Sequence, residues 1–324
     1  MSNYPVLLFH STDDRDLLSL KGLGNIRPAL FGKLIAKLRK EFDIVSLDEI
    51  IKYISSDLKS KDRLIALTFD DGPKSYAARA VPIMEVYEVP STCFLITNCI
   101  GDTTIYWRYL YNFCINKGFE QELAGFINET YNKKIRSDEI ISFSRKIFDT
   151  TKNRRIIEKL LKSVISEEEY RQTENELFLS LGDIGKLKEN QLVSFGIHTC
   201  SHPVLIGLSD EEILDEIAGS LDFYRSSIGD DVPAFSIPFG RLFKDYDERA
   251  ISIAGTLSLN VILSAYGGGN EVGQPLYNIR RISVHEGKLE GGLDLFIKGL
   301  CEPKIPSDYR GKEKRLTGYI SGRV

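Results

Sequence analysis

Ten residues constrain this chain more than any others: Leu64-Ile65-Ala66-Leu67-Thr68-Phe69-Asp70-Asp71-Gly72-Pro73. An apolar run of strand length with no polar alternation describes a buried strand. It ends in two adjacent carboxylates, and Gly72-Pro73 then turns the backbone sharply. Barrel-type and doubly wound enzymes present their chemistry at the C-terminal tips of such strands. Asp-Asp-Gly is also an ordinary turn sequence, so the stretch acquires meaning only from what stands elsewhere in the chain.

The surrounding pattern alternates strands with helices. Strands are expected near residues 5, 64, 91, 192, 233, 260 and 279. Helical periodicity lies between them, as in Leu30, Phe31, Leu34, Ile35 and Leu38. Ser75 is placed to cap the helix after the Asp-Asp turn, and Pro82 should kink it. Ser209-Asp210-Glu211-Glu212 reads as a capping box that starts a helix. Such alternation marks βαβ units and a parallel sheet. The fold class is therefore α/β, a barrel one unit short of eight.

The alternation lapses from about residue 103 to 188, where the pattern is mostly helical. This stretch reads as a helical insertion after the third core strand, suited to a lid, a substrate wall or an oligomer contact. Trp107 stands in it with Tyr106, Tyr109 and Tyr111, either as plain core or as a surface for stacking on sugar rings. The barrel is assigned to residues 1–300, and residues 301–324 read as a polar, mobile C-terminal tail.

Composition narrows the partners. The net charge of −4 leaves no basic surplus for nucleic acid or anionic membrane. No apolar run of 18 or more residues occurs, so no integral membrane segment is expected. The N-terminus lacks the pattern of a signal peptide, which suggests a cytoplasmic protein or one whose export signal has been trimmed. Five cysteines without a CxxC argue against a disulfide framework or a thiolate zinc knot.

All four histidines, His10, His198, His202 and His285, fall at or just beyond the C-terminal end of an expected strand, as do Asp70 and Asp71. A parallel barrel collects those ends on one face. His198-Thr199-Cys200-Ser201-His202 sets two imidazoles four residues apart, which brings both rings to one side of a helix or tight turn. Joined to one carboxylate of the acid pair, they form a His-His-Asp site for a divalent metal of the zinc type, with a position open for water. The second carboxylate is then available as general base. The chemistry implied is hydrolysis of an amide or ester through a tetrahedral oxyanion.

Thr68-Phe69-Asp70-Asp71-Gly72 followed by His198-Thr199-Cys200-Ser201-His202 resembles the first two motifs of the polysaccharide deacetylases, the NodB-homology group of carbohydrate esterase family 4. The likeness extends to Phe9-His10, to Trp107, to Phe235-Ser236-Ile237-Pro238-Phe239-Gly240 and to Ile279-Arg280-Arg281-Ile282-Ser283-Val284. It matches the long members that carry a helical insertion and often belong with surface-polysaccharide enzymes. The resemblance implies a distorted (β/α)7 barrel and a divalent metal, most often Zn²⁺. By motif, Asp71, His198 and His202 would be its ligands and Asp70 the base. Phe239 would offer its backbone N–H to the oxyanion, and Pro238, Trp107 and His10 would line the substrate site.

Two departures from the family pattern stand out. The arginine that opens the third motif is replaced by Ser236, so Arg281 or Arg280 would have to supply its charge. The last motif keeps a histidine, His285, without its leucine; His285 is the candidate general acid. The implied reaction removes acetyl from an N-acetylated amino sugar in a polysaccharide or sugar-linked precursor. The alternatives are another metal-dependent hydrolase, an O-deacetylase or deformylase-like amidase, and a catalytically weak glycan-binding protein. The oligomeric state is not legible.

Overall fold

The computed structural model describes residues 3–55, 63–144 and 150–322. Seven parallel strands form the core: β1 (Val6–Phe9), β2 (Leu64–Phe69), β3 (Ser91–Leu95), β4 (Val193–Ile197), β5 (Phe235–Ser236), β6 (Ile262–Leu263) and β7 (Ile282–Ser283). Their spatial order is β7-β1-β2-β3-β4-β5-β6. Each of the seven expected strands is present, and the last three are shorter than their apolar runs suggest. The sheet curls until Ile279, just ahead of β7, bridges Leu263 of β6 in parallel. The Ser264 N–H donates to the Ile279 carbonyl at 2.8 Å across that seam. This is the distorted (β/α)7 barrel.

β2 is buried at every position, which explains its unbroken apolar run: strands covered on both faces have no polar side to show. Helix α1 (Pro28–Glu41) buries Phe31, Leu34, Ile35 and Leu38 against the sheet, and α2 (Leu47–Ser55) follows. After β2 the chain makes a π-helical turn over Tyr76–Ala80 before α3 (Val81–Val86). Pro82, in the first turn of α3, has no N–H to continue the α ladder. The Val81 N–H reaches back to the Tyr76 carbonyl instead, so the expected kink takes the form of a widened turn. Ser75 does not cap this helix. Its backbone is already helical, and its hydroxyl accepts the Thr12 N–H at 3.1 Å.

Helices α4 (Trp107–Asn116), α5 (Glu120–Tyr131), α6 (Ile140–Ser144), α7 (Thr150–Val164) and α8 (Glu167–Thr173) follow β3. They share an apolar cluster that also takes in Leu17, Leu20 and Phe178. The Leu179 N–H then donates to the Gly72 carbonyl at 2.9 Å. Helix α9 (Leu181–Lys188) buries Ile184 and Leu187 in the barrel cluster rather than in that of the preceding helices. Helices α10 (Asp210–Ser227) and α11 (Glu248–Thr256) cover the later strands. The capping box at the start of α10 is formed, with the Glu212 N–H donating to Ser209 Oγ at 3.2 Å and the Ser209 N–H to Glu212 Oε2 at 2.8 Å.

The stretch from Glu302, read as a mobile polar tail, instead carries an ordered helix. After α12 (Leu293–Cys301), α13 (Ser307–Ile320) buries Tyr309 and Leu316. These two residues lie seven apart, two helical turns, too sparse a stripe to stand out in a polar segment. Tyr309 stacks on Tyr266 with ring centroids 4.0 Å apart, and Glu313 accepts from Arg280 Nε at 2.8 Å. Among the described residues no helix is long and apolar enough to cross a membrane.

Candidate metal centre and active site

The C-terminal ends of the seven strands open on one face, and the motif residues gather there. β2 runs on to Asp70, whose N–H donates to the Phe9 carbonyl at 2.9 Å. The backbone then turns left-handed at Asp71 (φ 76°) and Gly72 (φ 68°). A Cβ on Gly72 would lie 2.9 Å from the Leu95 side chain, so glycine is needed there both for its φ and for its bareness. The turn sends the two carboxylates to different neighbours. Both are buried, at 3% exposure.

His198 follows β4 directly. His202 stands beyond a tight turn rather than in a helix. Thr199 (φ 64°) and His202 (φ 58°) are left-handed, and the His202 N–H donates to Thr199 Oγ1 at 3.0 Å. The two rings meet edge to face with centroids 4.6 Å apart. Phe239 (φ 58°) is a further left-handed residue on this face, its ring 4.7 Å from that of His202. Non-glycine residues held in this region cost roughly 1–3 kcal/mol each and persist where the surroundings fix them, which is typical of functional sites.

Asp71, His198 and His202 form a group whose ligand atoms all lie within 4.8 Å of one another. Asp71 Oδ1 is 3.7 Å from His198 Nε2 and 3.7 Å from His202 Nε2. This oxygen is buried and accepts no hydrogen bond. A tetrahedral zinc with bonds of about 2.1 Å needs ligand-to-ligand edges of about 3.4 Å, so only a slight contraction is required. The outer contacts suit the same use. His198 Nδ1 lies 2.7 Å from the Ser236 carbonyl and His202 Nδ1 2.8 Å from the Tyr106 hydroxyl. With both Nδ1 atoms protonated, both Nε2 lone pairs face Asp71. Burial lowers the pKa of both histidines, keeping them neutral. Burial, and then the charge of Asp70, raise the Asp71 carboxyl to about 8. An unneutralised carboxylate in this position is unfavourable, and a bound cation would relieve it. The donor set thus fits a divalent metal.

Asp70 is in the opposite state. Arg281 Nη1 and Nη2 donate to its Oδ1 and Oδ2 at 2.7 and 2.8 Å, and the Ser236 hydroxyl lies 3.1 Å from Oδ2. Burial alone would raise this carboxyl, but the charge of Arg281 and its hydrogen bonds outweigh it. Asp70 is held well below the usual carboxylate range. Arg281 also donates from Nη2 to Ser236 Oγ at 2.7 Å, so the serine that replaces the motif arginine leaves room for a guanidinium arriving from beside β7. Arg280 points elsewhere, to Glu313 and the Gly269 carbonyl.

A cavity of about 330 Å³ opens above this centre. His10, Asp70, Asp71, His198, His202, Phe239 and His285 all line it, and Tyr106, Arg108 and Tyr109 of the insertion join them. Burial lowers His10 to about 4, with Asp70 opposing and His198, Arg281 and His285 adding to the effect. His285 is half-buried at the rim. Trp107 stands behind the ligands, 5% exposed, and its indole N–H donates to the His202 carbonyl at 3.2 Å. Pro238 precedes Phe239 without reaching the cavity lining.

In the sequence Tyr106 and Tyr109 stand out only as aromatics, yet Tyr106 supports His202 and the Tyr109 hydroxyl lies 3.4 Å from Asp71 Oδ2. Their proximity to Trp107 was the available signal. Arg108, 8% exposed, gave none.

A parallel barrel with its acid pair and histidine pair converging on one face is an arrangement suited to hydrolytic chemistry. The family described as polysaccharide deacetylase matches residues 57–164 and 168–262, and the chain belongs to it. Members of this family are hydrolases of carbon–nitrogen bonds other than peptide bonds. Solved structures agree on the fold. The Streptococcus pyogenes deacetylase PplD in complex with acetate superposes with a TM-score of 0.60 at 17% identity, covering 91% of this chain and 97% of its own. IcaB from Ammonifex degensii gives 0.59 at 14%, covering 92% and 97%. A de-N-acetylase from Aggregatibacter actinomycetemcomitans gives 0.56 at 13%, covering 91% and 100%. No curated protein sequence matches the chain.

Proposed function

We propose that the protein is a metal-dependent N-deacetylase that hydrolyses the acetamide of an N-acetylated amino sugar in a glycan or sugar-linked precursor. The observation that carries this reading is the pairing of opposite carboxylates. Asp71 directs an unpartnered oxygen toward two imidazole Nε2 atoms, while Asp70 beside it is kept ionised by Arg281. A protein that only bound sugar would have no use for a buried, charge-stabilised base next to a metal cradle.

Asp71, His198 and His202 would hold the cation. When bound, a divalent ion such as Zn²⁺ supplies Lewis-acid polarisation of the attacking water and the acetamide carbonyl. Asp70 accepts the proton of the water as its oxygen bonds to the acetyl carbon. The Phe239 backbone N–H, at the left-handed turn after β5, is assigned to the oxyanion. The carbon–nitrogen bond then breaks, the departing amine takes a proton, and acetate leaves. His285 is assigned to deliver that proton. His10, lowered to about 4, is a poor donor at neutral pH. His285 is also lowered, by burial and then by Lys288 with Glu290 opposing, but it is only half-buried at the cavity wall, where solvent can return its proton.

The test is to incubate purified protein with Zn²⁺ or Co²⁺ and acetylated chito-oligomers and to quantify free amine and acetate. Asp70→Asn should lower turnover by about 10³-fold while metal content stays near one per chain. Turnover that survives this substitution would refute the role of Asp70. His198→Ala should lower metal occupancy.

A further inference from the structure

The loop between β1 and α1, residues Ser11 to Ile26, forms one wall of the candidate site. Its ends are close, with the Ile26 N–H donating to the Ser11 carbonyl at 3.1 Å. Leu20, Gly22, Leu23 and Gly24 line the 330 Å³ cavity and also a neighbouring one of about 430 Å³, so the loop is the partition between them. Gly24 lies against His10; a Cβ there would be 3.2 Å from the imidazole Nδ1. A small shift of this loop therefore changes the space beside the metal centre.

Near its tip the loop is held by the insertion more than by the barrel. Glu174, at the end of α8 and 3% exposed, accepts the backbone N–H groups of Leu18 and Ser19 at 2.9 and 3.2 Å. Asn112 of α4 directs Nδ2 at the carbonyls of Leu18, Ser19 and Lys21, at 3.1, 2.8 and 2.9 Å. Ser19 Oγ lies 2.8 Å from the Tyr170 hydroxyl. Leu17 and Leu20 bury their side chains in the apolar cluster of the insertion. One carboxylate and one amide from two insertion helices thus satisfy both the donors and the acceptors of a single loop turn.

We propose that Asn112 and Glu174 are positioning residues, and that through them the helical insertion fixes the loop wall Leu17–Gly24 and so shapes the sugar-binding side of the cavity. This rests on the reading of the cavity as the acetylated-sugar site. Neither residue touches the metal ligands; they act through the loop.

The test compares the metal-loaded protein with Glu174→Gln, which keeps the shape of the side chain, and with Asn112→Ala. Backbone hydrogen exchange over residues 17–24 should speed up by roughly 10-fold or more in each variant, with the strand amides of the barrel unchanged. KM for acetylated chito-oligomers should rise by roughly 5- to 10-fold with kcat nearly constant. Hydrolysis of 4-nitrophenyl acetate, a small ester that needs the metal and base but no sugar wall, should be unaltered. Exchange that is unchanged, or raised equally throughout the molecule, would overturn the proposal. So would an equal loss of kcat on both substrates at constant KM, because that signature belongs to a fall in the folded fraction. A wild-type protein that releases no amine from any glycan would refute the proposed function instead, and the exchange measurement would still decide whether the insertion holds the wall.

Discussion

Arg281 meets Asp70 fork to fork, its two terminal nitrogens 2.7 and 2.8 Å from the two carboxylate oxygens, with the guanidinium 0% exposed. The positive charge beside Asp70 thus arrives from the segment leading into β7, while β5 contributes only the Ser236 hydroxyl. Bidentate pairing of this kind fixes direction as well as charge. Arg281→Lys keeps the charge but loses the fork, and should lower kcat/KM by about 10- to 100-fold. The folded Asp70 is depressed, so it favours the folded state above its unfolded pKa of about 3.9, an advantage lost as the pH falls below that. With the fork gone Asp70 moves upward, and the acid limb of the kcat/KM profile should move to higher pH with it. An acid limb that stays in place would show that another group governs it.

Asp71 leads to a prediction about metal uptake. Without metal its carboxyl is raised to about 8, chiefly by burial and then by Asp70, so near pH 7 it is mostly protonated. The two histidines, lowered by burial, are already neutral. Binding a cation should therefore release close to one proton near pH 7, and affinity should climb with pH until about 8. Calorimetric titration of Zn²⁺ in buffers of different ionisation enthalpy measures that proton directly. Without metal, Asp71 should also make the fold less stable as the pH rises from about 4 toward 8, a loss that saturating metal should reverse.

Tyr106 lies at the start of the insertion, and its hydroxyl is 2.8 Å from His202 Nδ1. Removing such an outer partner of a metal-binding histidine costs roughly 10- to 100-fold in metal affinity or activity. Tyr106→Phe should show this in a competition assay with a chelator, while the thermal stability of the metal-free protein changes little.

Gly240 tests the turn that carries Phe239. Its φ is 66°, and a Cβ would fall 2.5 Å from the Ala265 backbone nitrogen. Gly240→Ala should destabilise the protein by about 2–4 kcal/mol, measured by denaturant unfolding. Activity should fall further than stability accounts for, because relief of the clash moves Phe239.

The barrel was legible because its signals are local. Apolar runs between turn residues mark the seven strands, and a parallel sheet then dictates that His10, Asp70, His198 and His285 share a face. Arg280 and Arg281 were not separable in this way. Adjacent residues in an extended segment point to opposite sides, and which of them faces Asp70 is set by the pairing of Ile279 with Leu263, a contact between distant segments. Tyr106 and Tyr109 were hidden for the same reason, since their partners depend on how the insertion folds back over the barrel. Helix α13 escaped notice because two buried residues, Tyr309 and Leu316, suffice to dock it.

The pairing of Leu7 with Ile282 has a consequence for biosynthesis. The barrel's first strand leaves the ribosome early, yet one edge of it stays open until its last neighbour has been made. A nascent chain carrying β1 to β6 would expose that edge to any other strand nearby, and closure must bring together segments almost a full chain length apart, a slow kind of step. The reactive face, which draws on both ends of the barrel, is therefore among the last parts of the molecule to take shape.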